Sequence, residues 1–165
     1  MLKKFLIRTY PDPVLRKETE AIDLFDSKLM DLIEEMKVIM LESDGVGLAA
    51  PQVGVSKKLA IVYYDETLYV LINPILLKAD GEQVSEEGCL SFPGIFGNVL
   101  RPRHVVIEAY NEHGEKLTIE AEDFLARAFL HEMDHLEGRL LIDHFSPLKK
   151  NIIRKRMRQH AKDER

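Results

Sequence analysis

Residues 124–138 read FLARAFLHEMDHLEG, and the fold turns on whether this stretch is one helix. Glu122-Asp123 place acid ahead of it, the run to His135 holds good helix formers and neither Pro nor Gly, and Gly138 supplies a stop. On a helix, His131 and His135 lie one turn plus about 40° apart and leave the same face, so both imidazoles can reach one ion. Glu132 lies about 100° round from His131, where a carboxylate can take a proton from a water activated by that ion. Phe124, Ala128, His131 and His135 then share a stripe. The competing reading makes the histidines ordinary core or surface side chains.

The neighbouring segments predict what the helix packs against. Residues 103–110 and 115–121 flank Asn111-Glu112-His113-Gly114 as a hairpin, with Val105, Ile107 and Ala109 alternating against Val106, Glu108 and Tyr110. Residues 58–64 and 68–72 form a second hairpin about Asp65-Glu66-Thr67, which Asn73-Pro74 ends or displaces to a sheet edge. Residues 81–88 read as a polar connection into a Gly- and Pro-rich loop around Cys89. Asp26 or Ser27 caps a helix to about Glu42, with Leu29, Ile33, Met36 and Met40 on its core face and Leu32 and Ile39 beside them. Pro11 and Pro13 exclude a helix interior or a central strand, so the opening wraps the surface. Residues 43–54, with three glycines, can lay main chain against a ligand or simply connect helix to strand. Ser146-Pro147 opens a last helix with a narrow apolar stripe of Leu148, Ile152, Ile153 and Met157. The expectation is an α+β fold, with the histidine helix packed among antiparallel β-sheets and further helices at the N- and C-terminal ends.

A chain of 165 residues fits a single catalytic domain, 1–165, with the basic helix 146–165 as part of it. No run of about 18 apolar residues occurs, and Met1-Leu2-Lys3-Lys4 leads to Arg8, Pro11 and Pro13 rather than to a signal core. A cytoplasmic protein with no membrane partner is expected. The single cysteine, Cys89, excludes an internal disulfide and is core filler, reactive thiol or metal ligand. Residues 149–165 carry eight basic against two acidic side chains, a net +6, which leaves −11 on residues 1–148.

A catalytic zinc-type site needs three protein donors. The pattern His-Glu-x-x-His-x-x-Gly holds through Gly138, but Leu141 stands where one peptidase class has its third histidine, and His144 is misplaced for it. A downstream glutamate on a later helix leaves Glu164 alone as candidate. Cys89 is the better donor, since thiolate with two imidazoles suits Zn²⁺ or Fe²⁺.

Gly45-Val46-Gly47-Leu48-Ala49-Ala50-Pro51-Gln52, Glu87-Gly88-Cys89-Leu90-Ser91 and His131-Glu132-Met133-Asp134-His135-Leu136-Glu137-Gly138 together resemble the three motifs of the peptide deformylase family, in that family's order. The opening, the strand pattern and the terminal helix resemble its bacterial type. The resemblance implies removal of formate from the N-terminal formyl-methionine of new polypeptides. It implies Cys89, His131 and His135 as ligands of one divalent metal, Fe²⁺ in the cell, with Zn²⁺, Ni²⁺ or Co²⁺ as substitutes. It makes Glu132 the general base and then acid, and the Gln52 amide and Leu90 N–H the oxyanion donors. It places methionine against Val46, Phe124 and Ala128, and the peptide backbone along Gly45 to Gly47. A ribosome contact through the basic helix is implied as well, and no DNA. Leu130 stands where the family often has Gln, Arg127 lies near the methionine pocket at a position where smaller or apolar residues also occur, and Gly94-Ile95-Phe96 lacks a basic residue that some members have. The charges of Glu87 and Arg101 are expected to pair. The rival readings are a small zinc peptidase and an inactive deformylase-like metal-binding protein.

Overall fold

A computed structural model describes residues 5–164. Met1-Leu2-Lys3-Lys4, read above as no signal segment, and Arg165 of the basic tail lie outside the described residues. The fold is α+β. The decisive stretch is a helix, α2 (Asp123–Leu136), and Gly138 ends it at φ +73°, a left-handed conformation that favours glycine.

Strands β1 (Gly47–Ala49), β2 (Leu59–Tyr64), β3 (Thr67–Asp80), β6 (His104–Tyr110) and β7 (Lys116–Glu122) form an antiparallel sheet in the order β1-β2-β3-β6-β7. Leu59 and Ile61 of β2 join Leu29, Ile33 and Met36 of α1 (Ser27–Glu42), while Val62 joins Phe129 of α2. Side chains alternate across a strand, so the two helices cover opposite faces of the sheet. Burial on both faces explains why residues 59–62 are apolar without interruption. The Asp26 carboxylate caps α1 by accepting from the Leu29 N–H at 3.0 Å, as the sequence predicts.

Four segments differ from expectation. Asn73-Pro74 neither ends its strand nor places it at an edge, because β3 runs on to Asp80. A register shift between Ile72 and Ile75 lets the strand leave β2 for β6, and proline is tolerated where the ladder is already broken. Residues 83–89 are not a connection but β4 (Gln83–Cys89), paired with β5 (Phe92–Arg101) in a separate two-stranded sheet. Cys89 therefore closes a strand, opposite Phe92 at a shift in register. Residues 47–53, read as loop, contain β1 and a 3-10 turn, Ala50–Val53.

The last helix, α3 (Pro147–Asp163), is capped by Ser146 as expected, but its apolar stripe is narrower. Ile153 and Met157 enter a cluster with Leu15, Phe92, Ile95 and Val99, whereas Leu148 and Ile152 are 72% and 46% exposed. Among the described residues, no helix is long and apolar enough to cross a membrane.

Candidate active site

Two independently built pieces meet at the site. Helix α2 brings His131 and His135, with ring centroids 5.2 Å apart, and the end of β4 brings Cys89. One ligand atom from each of the three lies within 4.8 Å of the others, and Cys89 Sγ is 3.4 Å from His135 Nε2.

The surroundings fix these groups. His131 Nδ1 meets Glu87 Oε1 at 3.0 Å, which leaves its Nε2 for an ion. Glu87 also accepts from Arg101 Nε at 2.6 Å and Nη2 at 2.8 Å, so the pairing expected from sequence is present and buried. Burial pushes the Glu87 carboxyl up, but Arg101 and His131 outweigh it and hold it at about 2. Arg101 Nη1 reaches Asp134 Oδ2 at 3.0 Å, and His144 Nε2 reaches the same oxygen at 2.9 Å. His144 thus belongs to this network and not among the candidate ligands. Burial likewise opposes ionisation of Cys89, but His135 and His131 bring its thiol down to about 5, as a ligand thiolate requires.

Glu132 is 5% exposed, and its Oε1 has no hydrogen-bond partner among the described residues. Burial raises its pKa against the opposing pull of His131 and His135. Gly47 lies directly against it, since a Cβ there would stand 2.8 Å from Glu132 Cδ. Gln52 is oriented as well: its Oε1 accepts from the Ala49 N–H at 3.0 Å, which turns Nε2 toward Ser91 Oγ at 3.1 Å and Cys89 Sγ at 3.6 Å. A thiolate, two imidazoles with one oriented by a carboxylate, and an unpartnered buried carboxylate beside them fit a divalent metal.

A cleft of about 750 Å³ opens over these groups. It is lined by Gly45, Val46, Gly47, Gln52, Cys89, Leu90, Phe124, Ala128, His131 and Glu132, so every site residue expected from sequence is here except His135, which lies behind at 1% exposure. Sequence reasoning missed Ser91, whose hydroxyl orients Gln52, and His160, and it weighed Glu164 only as a peptidase ligand; through His160 and Glu164 α3 reaches the cleft. The packing of Ile153 and Met157 lays the helix on the domain with its end at the cleft, a placement that the helix's own sequence does not encode.

Fold and site together define a metal-dependent hydrolase of the His-Glu-x-x-His type. The sequence profile described as Polypeptide deformylase matches residues 4–151, and the chain belongs to the peptide deformylase family. A peptide deformylase of Clostridium botulinum is 53% identical over 137 residues, 83% of this chain and 93% of that one. One of Thermodesulfovibrio yellowstonii is 45% identical over 157 residues, 92% of this chain and 95% of its own. The crystal structure of a peptide deformylase from Legionella pneumophila superposes with TM-score 0.92 at 36% identity, covering 97% of this chain and 96% of that chain. Membership carries deformylation of nascent polypeptides and a divalent metal, and nothing found favours the peptidase or inactive readings.

Proposed function

We propose that residues 1–165 act as one catalytic domain that removes the formyl group from N-terminal formyl-methionine, with Cys89 Sγ, His131 Nε2 and His135 Nε2 holding the metal. The convergence of these three donors beside the unpartnered Glu132 carboxylate carries the reading. The metal is Fe²⁺ in the cell, and Zn²⁺, Ni²⁺ or Co²⁺ suit the same donors. When bound, it supplies Lewis acidity that makes water nucleophilic at neutral pH.

Glu132 takes the proton of the attacking water and delivers it to the leaving amine, and its burial suits a base that must return what it takes. As the formyl oxygen becomes negative, Gln52 Nε2 and the Leu90 N–H donate to it, each contributing about 10²-fold. Val46, Phe124 and Ala128 receive the methionine side chain. Val46 and Phe124 are 38% and 44% exposed, so they have apolar surface to offer a ligand. β1 is the edge of its sheet, which supports an extended substrate pairing along Gly45 to Gly47.

Translation supplies these substrates in the cytoplasm, and the basic face of α3 is the surface that contacts the ribosome. The test is formate release from formyl-Met-Ala-Ser by anaerobically prepared, Fe²⁺-loaded protein. Formate is expected from that peptide and no cleavage of acetyl-Met-Ala-Ser; absence of formate from fully metallated protein contradicts the reading.

A further inference from the structure

The reaction above gives Arg127 no role, although the residue is 4% exposed and lines the cleft. A guanidinium is costly to bury unless its donors are matched. Here Nη1 pairs with Glu87 Oε2 and reaches the Ser85 carbonyl at 3.3 Å, Nη2 reaches the Gln83 carbonyl at 3.3 Å, and Nε alone of the three nitrogens has no partner among the described residues. All three acceptors sit on β4, the strand that ends in Cys89, and Arg127 sits on α2 one turn before His131. The sheet containing β4 shares no strand pairing with the five-stranded sheet against which α2 packs. The spacing between thiol and imidazoles therefore depends on side chains that bridge the two pieces. Arg101 forms one bridge, from β5 to Asp134, His131 Nδ1 with Glu87 and Gln83 Nε2 with the Asp123 carbonyl form two more, and Arg127 adds three contacts directly onto β4.

We propose that Arg127 is a positioning residue that locks the Cys89-bearing strand to the histidine-bearing helix and so slows release of the metal. The inference rests on the metal site proposed above. Its route is specific. Arg127 and Arg101 hold Glu87 from two sides, and Glu87 so fixed keeps the His131 ring turned with Nε2 toward Cys89. Carboxylates placed this way on ligating histidines change metal affinity by about 10- to 100-fold when disturbed. Arg127 thus serves the metal, through a guanidinium spent on β4, and not the methionine pocket.

The experiment loads the parent, Arg127→Met and Arg127→Lys with Zn²⁺ and follows transfer of zinc to a chromogenic chelator. Zinc is expected to leave Arg127→Met on the order of 10- to 100-fold faster than the parent. Arg127→Lys is expected to fall between them, because an ammonium can pair with Glu87 but cannot span the two carbonyls as a fork does. In metal-saturated variants KM for formyl-Met-Ala-Ser should stay within about twofold of the parent. Unchanged zinc release in both variants overturns the proposal, as does a raised KM with unchanged release. If metal-free Arg127→Met does not fold, Arg127→Lys decides alone, and release at the parent's rate overturns it. A parent that binds no zinc overturns the metal site itself, which keeps the two failures distinct.

Discussion

Gly47 sets how closely β1 approaches the proposed base. A Cβ at this position would stand 2.8 Å from Glu132 Cδ and 2.9 Å from Cγ, so any side chain must push the carboxylate out of place. Gly47→Ala is therefore expected to lower kcat about 10²-fold, the cost of an ångström-scale misplacement, with metal content unchanged. Steady-state kinetics on metal-matched protein checks this, and a parent-like kcat would mean that Glu132 does not need its present position. Gln52 shows a complementary limit. Its place in the first motif was legible, but which end of the amide faces Cys89 depends on the Ala49 N–H and Ser91 Oγ, contacts that no local pattern encodes.

Between elements, one tie between the early and late parts of the chain is Arg16 with Asp143, connecting the 3-10 turns Pro13–Arg16 and Leu141–His144. Arg16 Nη1 and Nη2 reach the two carboxylate oxygens at 2.5 and 2.8 Å, and Nη1 also donates to the Gly138 carbonyl at 2.9 Å. Partial burial pushes the Asp143 carboxyl up, but Arg16 outweighs it and holds it below the ordinary range. A carboxyl depressed in the folded state stabilises above its unfolded value of about 3.9, and that contribution is lost as pH falls through the lower folded value. Asp143→Asn should thus cost about 1 kcal/mol at pH 7, a modest figure because both side chains remain partly exposed. The difference in denaturant midpoint between parent and variant should shrink below about pH 4; a constant difference would contradict the assignment. Elements differ in how legible they were for a comparable reason. α1, α2, α3 and the two hairpins carry local signals in caps, periodicity and turn residues. β4 exposes most of its side chains, and β5 buries Gly97 and Arg101 while exposing Phe96 and Leu100, so neither shows the alternation that announces a strand. They form a sheet because Glu87 and Arg101 pair across them and because α3 covers Ile95 and Val99, which are facts of tertiary structure.

Across the whole molecule, an acidic body of net −11 carries a basic end of net +6. Deleting residues 149–165 would uncover Ile95, Val99 and Phe92 by removing Ile153 and Met157, so it would test stability together with docking. Reversing charge at the exposed Arg154, Lys155 and Arg158 isolates the electrostatic contribution. The triple variant should bind ribosomes more weakly and with a shallower salt dependence, while turnover of formyl-Met-Ala-Ser is unchanged. Ribosome affinity equal to the parent's would remove the docking role from α3. What the molecule achieves as a whole is to bring a strand-borne thiol and two helix-borne imidazoles together under a cleft, with one unpartnered buried carboxylate, the proposed proton carrier, beside them. The most direct test compares formate release from formyl-Met-Ala-Ser by the parent and by Glu132→Ala, each with one metal per chain. The account predicts loss of about 10²- to 10⁴-fold in kcat with metal retained, and it is contradicted by a metal-replete Glu132→Ala that turns over as fast as the parent.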